Sequence, residues 1–127
     1  MFSFRKKDDG NKLAIKELPA AAGTYKVGDV AVLTNGAITK ATGTTKPEYV
    51  LAFKGTVASG DIVAVNPIYA DMEFDTTLSA SGALKIGDKV TINSDSDKVT
   101  ATTTNGVATL VDITGTASGN AVTVKFE

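Results

Sequence analysis

Val30-Ala31-Val32-Leu33-Thr34-Asn35-Gly36-Ala37-Ile38-Thr39-Lys40 is the stretch on which the fold turns. An apolar run enters it, Asn-Gly interrupts it, and a second half-apolar run leaves it. Both central positions of a type I′ turn need positive φ, which Asn and Gly tolerate, and the twist of that turn matches the twist of paired strands. The stretch therefore predicts a two-residue β-hairpin with Leu33 opposite Ile38. By the same logic Thr104-Asn105-Gly106-Val107 predicts a second hairpin. It leads into Val107, Thr109, Val111 and Ile113, alternating with Ala108, Leu110 and Asp112.

Outward from the first hairpin the same grammar continues. Residues 49–54, 62–65 and 68–74 read as strands, and the last strand is the cleanest. There Val122, Val124 and Phe126 face one way and Thr123, Lys125 and Glu127 the other, the period of two expected of a half-buried strand. Beyond residue 23 no stretch longer than a turn or two carries a helical period. Roughly ten short strands with frequent turns predict an all-β fold, a small barrel or sandwich of short antiparallel strands. Lys26-Val27-Gly28-Asp29-Val30 is echoed by Lys85-Ile86-Gly87-Asp88-Lys89-Val90, and Ser59-Gly60-Asp61-Ile62-Val63 repeats its core. Each reads as a tight turn: Gly takes positive φ, Asp caps local amides, and a strand leaves at once.

The composition agrees. At 127 residues there is room for one domain, built mainly from Val, Ala and Thr, with 6% aromatics, no Trp and twelve glycines to turn the chain. Residues 1–23 differ from residues 24–127, and Pro19 and Gly23 mark the boundary between an extended N-terminal arm and the β domain. Two readings of the arm stand side by side: an inert tail, or a segment that orders on a partner. On the second, the candidate partner-binding residues are Phe2, Phe4, Arg5, Lys6, Lys7, Leu13, Ile15 and Leu18.

Thirteen basic residues balance fourteen acidic ones, and the one dense basic run, Arg5-Lys6-Lys7, is answered at once by Asp8-Asp9. Nucleic acid is therefore not an expected partner. No apolar run has the length of a signal peptide core or a membrane span, so no membrane role is expected and synthesis is placed in the cytoplasm. With no Cys there are no disulfides or thiolate sites, and with no His the commonest general base and zinc ligand are missing. No phosphate-binding, dinucleotide or nucleophile-elbow motif occurs. The expectation is a protein that is not an enzyme, with no catalytic, metal or cofactor residues and no cofactor.

Two acidic clusters were weighed against this. Asp71, Glu73 and Asp75 alternate around Met72 and Phe74, which places three carboxylates on one strand face. They suit a Ca²⁺ or sugar-cleaving site on paper, but an exposed charged face over buried Met72 and Phe74 explains them more simply. Asn93-Ser94-Asp95-Ser96-Asp97 starts like a calcium loop, yet Lys98 and Thr104 stand where Gly and Glu are needed, so a polar hairpin loop is expected. The aromatic residues do not group along the sequence as a sugar-stacking platform would.

Read together, "YKVGDVAVLTNGAITKAT" (25–42), "PEYVLAFKG" (47–55), "GDIVAVNPIYADMEF" (60–74) and "LSASGALKIGDKVTINSDSDKVTA" (78–101) resemble tailed-bacteriophage capsid decoration proteins, also called head-stabilising or cement proteins. That resemblance implies a virion structural protein on the capsid exterior. It would bind the major capsid protein, bridge its subunits and stabilise the head, as a homotrimer with residues 1–23 against the shell. Deleting residues 1–18 is then expected to leave the β domain folded and abolish capsid binding. The alternatives are a carbohydrate-binding or adhesion module of a phage fibre or bacterial surface, or another virion part such as a tail-tube or head-fibre subunit.

Overall fold

The computed structural model describes residues 1–7 and 14–127, and of Lys6 and Lys7 the backbone alone. Twelve strands and no helix make up the described residues: β1 (Ser3–Lys7), β2 (Lys16–Pro19), β3 (Gly23–Tyr25), β4 (Val30–Thr34), β5 (Ala37–Lys40), β6 (Tyr49–Leu51), β7 (Gly55–Val57), β8 (Ile62–Pro67), β9 (Met72–Thr77), β10 (Lys89–Val90), β11 (Ala108–Ile113) and β12 (Ala121–Lys125). They form two five-stranded sheets, ordered β1-β9-β12-β11-β10 and β2-β8-β6-β4-β5, with a short β3-β7 ribbon. Neither sheet closes into a barrel, and the result is a sandwich-like all-β fold.

The first hairpin forms as its sequence dictates. Asn35 and Gly36 take φ of 51° and 79°, and Leu33 pairs with Ile38. The second Asn-Gly does something else. Asn105 has φ of 53°, but Gly106 does not take positive φ, and no strand precedes the turn. Instead a Cβ on Gly106 would overlap the Lys89 carbonyl and crowd the Val90 amide. That glycine lets two backbones touch so that Val107 can donate to the Val90 carbonyl at 2.9 Å.

The Gly-Asp echo is one turn used four times. In Lys26–Asp29, Ala58–Asp61 and Lys85–Asp88 the fourth amide donates to the first carbonyl at 3.1 Å, while the Asp carboxylate accepts the first amide at 2.9–3.0 Å. Ala117–Asn120 repeats the pair of bonds at 3.1 and 2.8 Å with an Asn side chain. The third residue is Gly each time, with φ of 85–95°. Ala80-Ser81-Gly82-Ala83 is the instructive exception: without Asp or Asn at the fourth place, Gly82 stays out of positive φ. The reciprocal side-chain bond selects the turn, and Gly permits it.

Two cores follow from this topology. The larger lies between the sheets and gathers Phe2, Val30, Val50, Met72, Phe74, Leu110, Val122, Val124 and Phe126 among others. The smaller lies inside the curl of the second sheet, where Tyr25, Ala31, Ile38, Leu51, Val63 and Val65 meet. The curl is drawn in where Ala20 bridges Ile38 and the Ala21 amide donates to the Ile38 carbonyl at 2.9 Å.

The described parts of residues 1–23 are built into the body of the protein. β1 pairs antiparallel with β9 and β2 with β8, so each sheet takes one strand from residues 1–23. Phe2 is 2% exposed, Phe4 packs on the larger core and Leu18 on the smaller. The reason is supply. Without residues 2–7 the ladder edge of β9 would lie bare, and the larger core would lack one of its three fully buried phenylalanine rings.

Candidate functional site

The residues expected to bind a partner separate once they are placed. Phe2 and Phe4 belong to an aromatic seam in which Phe4 meets Phe74 at 6.1 Å and Phe2 meets Phe126 at 5.5 Å between centroids. Phe2 is buried in this chain's larger core, while Phe4 and Leu18 are half-buried and pack against its two cores. Arg5 is exposed and reaches Asp75 at 3.3 Å and Glu73 at 3.9 Å. Lys6 and Lys7 stand opposite Glu73 and Met72 in the β1–β9 ladder, which bulges between Phe4 and Lys6. A bulge and basic residues on an outermost strand discourage pairing with another chain's edge. Ile15 is 72% exposed, and Leu13 lies outside the described residues.

Of the three alternating carboxylates only Glu73 and Asp75 lie on β9, and Asp71 falls in the turn before it. Met72 and Phe74 are buried beneath them, Asp75 also accepts a hydrogen bond from Thr123 Oγ1 at 2.7 Å, and Arg5 bridges Glu73 and Asp75. Among the described residues no group of three or more acidic side chains is arranged to hold a metal ion.

The Asn93–Asp97 stretch proves to be a junction rather than a free loop. Asn93 Oδ1 accepts the amides of Asp97 and Lys98, both at 3.0 Å, and Ser96, fully buried with φ of 62°, donates to the Ala41 carbonyl at 2.7 Å. Lys26 pairs with Asp97 Oδ2 at 3.1 Å, and the Met1 amino group donates to the Asp97 carbonyl at 2.6 Å. Burial pushes the Asp97 carboxyl up, but the hydrogen bonds from Asn93 and Lys26 and the positive charges nearby outweigh it and hold it below the usual value. The Lys26 ammonium is raised by the same partner, and burial lowers the Met1 amino group against the pull of Asp97. Beside this junction lies Asp29, fully buried, with Lys40 at 3.7 Å from Oδ2 and no hydrogen-bond partner for Oδ1.

Among the concavities lined by described residues, one is built on a repeated motif. Pro47-Glu48-Tyr49 and Pro67-Ile68-Tyr69 are two Pro-x-Tyr segments that run antiparallel past each other. The β6–β8 register sets Tyr49 opposite Pro67, and the Ile68 amide donates to the Glu48 carbonyl at 2.9 Å. With Lys16 and Lys46 they line a concavity of about 600 Å³ at one end of the curled sheet. Tyr69 is 49% exposed there, while its backbone is anchored by a 3.0 Å bond from the Met72 amide. Glu48 is already engaged, its carboxylate accepting the Leu33 amide at 3.1 Å. Along the sequence the aromatic residues do not group as a sugar-stacking platform would, and Tyr49 and Tyr69 stand far apart. Strand register brings them to one site, and the repeated Pro-x-Tyr was the signal that could have found it.

No family model matches the chain, and no curated protein does. Among solved structures it is similar to the N base of the head fiber protein gp8.5 of bacteriophage phi29, with a TM-score of 0.58 at 20% identity. The match covers 90% of this chain and 95% of that one. The two share a fold. The likeness runs through both sheets, since so complete a match leaves out neither half of the sandwich.

Proposed function

We propose that this chain is a non-enzymatic structural protein of a phage virion, bound to the outer surface of the head through the major capsid protein. The observation that carries the reading is the near full-length structural match to a domain of a phage head fiber protein. In its finer form the protein decorates the assembled shell, bridges neighbouring capsid subunits and adds its binding free energy to their cohesion. A net charge of -1 suits a densely repeated surface, where strongly charged copies would repel one another. Ile15, exposed at the start of β2, and Ile62, 62% exposed beside Pro19 on β8, supply apolar contact on the outer side of the second sheet. A homotrimer is the assembly we assign to it, and light scattering coupled to size exclusion tests that directly.

The second reading, the base of a head fibre, draws on the description of the phi29 neighbour itself. Co-sedimentation with purified expanded heads lacking the protein separates the two. Saturation at a fixed ratio to the major capsid protein, with raised heat resistance of the head, supports decoration. Saturation at a few copies per head supports the fibre base. Absence of binding to any head form overturns both.

A further inference from the structure

We propose that the concavity between the two Pro-x-Tyr segments binds an acidic saccharide, with Tyr49 and Tyr69 as its stacking faces and Lys16 and Lys46 as its anion contacts. This goes beyond a head-binding role and does not depend on it. The volume, about 600 Å³, is that of a site for a few sugar rings rather than a crevice between side chains. Its floor is made of rings: Pro47 is buried, Pro67 and Tyr49 are half-buried, and Tyr69 stands up at the rim. A tyrosine offers an apolar face and a hydroxyl at once, which is what a sugar, with its C–H faces and equatorial hydroxyls, needs from a wall.

The charge at the rim sets the sign of the ligand. Lys16 and Lys46 are exposed, and among the described residues neither enters an ion pair. Among the described lining residues the one acidic group, Glu48, points its carboxylate at the Leu33 amide. Two cations lining the concavity, with no ion-pair partner among the described residues, favour a ligand that carries carboxylate or phosphate.

A peptide fits less well for a topological reason. Extended peptides gain affinity by adding a strand to an open sheet edge. Here β6 is flanked by β4 and β8, β8 is flanked by β6 and, up to Val65, by β2, and Pro67 beyond that point has no amide hydrogen to donate to an added strand.

The test uses the full chain and four probes: tetragalacturonate, phosphorylated maltotetraose, unmodified maltotetraose and tetraglutamate. Calorimetry gives the affinities. Tyrosine emission gives a local readout, because the chain has no Trp and two of its three tyrosines line the concavity. The expected result is saturable binding of at least one of the two acidic saccharides, at least tenfold tighter than maltotetraose and tetraglutamate. Whether carboxylate or phosphate wins identifies the source of the charge. Tyr69→Ala and Lys46→Gln, both at exposed positions, should each weaken binding at least tenfold, while Lys89→Gln on the other sheet should leave it unchanged. No binding of either acidic saccharide, equal binding of tetraglutamate, or indifference to Tyr69→Ala overturns the proposal.

Discussion

The rings of Phe2 and Phe126 meet with 5.5 Å between centroids and planes inclined at 57°. Each ring adjoins the end of a strand, and those two strands do not pair, because β9 lies between β1 and β12. Phe74 on β9 completes the seam, 5.6 Å from Phe126. The N-terminal strand is thereby tied to the C-terminal half of the chain by packing as well as by hydrogen bonds.

Phe2→Ala should therefore destabilise the fold by about 3–5 kcal/mol, the range for emptying a buried aromatic site. Removing residues 1–7 should cost more, since it also strips the β9 edge. Urea unfolding of the two variants checks this. Little change in midpoint would mean that the first strand is dispensable and that the segment works as a detachable arm.

Asp29 performs the same backbone task as Asn120, so the turn itself does not require a charge. Asp29→Ala leaves the part-buried Lys26 amide without its acceptor and should cost about 1–3 kcal/mol. Asp29→Asn keeps that acceptor and should cost less than half as much. Equal losses in thermal or urea unfolding would show that the Lys40 contact, not the turn, is what Asp29 contributes.

Gly36 and Gly106 follow Asn alike but should respond differently to Ala. At Gly36 the space around a Cβ is open, and only the positive φ resists, at about 1–2 kcal/mol. At Gly106 the Cβ would strike the Lys89 backbone, so the loss should reach the upper end of the roughly 1–3 kcal/mol seen for overpacking. It should also weaken protection of the β10–β11 amides in hydrogen exchange. Equal costs at the two sites would refute the close-approach role of Gly106.

Acid sensitivity should trace to Asp97. Its carboxyl is held below the ordinary 3.8, so the folded state binds this proton less readily than the unfolded chain. The stabilisation is present above that value and is lost as pH falls through the lower folded one. Asp97→Asn should flatten that part of a stability profile measured from pH 2 to 6. Lys26 runs the other way: raised above 10.5, it contributes below that pH, and the contribution is lost as pH rises through its folded value. A profile for Asp97→Asn that falls as steeply as the parent's would move the effect to other carboxylates.

Much of this molecule was readable residue by residue. The Leu33–Ile38 pairing, the Gly-Asp turns and the inward set Val122, Val124 and Phe126 all rest on φ preferences and a period of two, which act over two to five residues. The Asn105-Gly106 turn was misjudged because a glycine needed for positive φ and one needed for close approach look the same in sequence. The paired tyrosines were missed for a related reason, since Tyr49 meets Pro67 only through the β6–β8 register.

The sequence by itself determined the all-β class, the hairpin and the Gly-Asp turn at three places, because each is decided by the local conformational preferences of a few neighbouring residues. Tertiary structure alone decided that residues 3–7 join a sheet made otherwise from residues 72–125, that Phe2 enters the core, and that two Pro-x-Tyr segments share one concavity. Those outcomes depend on which strand edges and apolar faces remain uncovered once the others have paired, and that is a property of the whole chain.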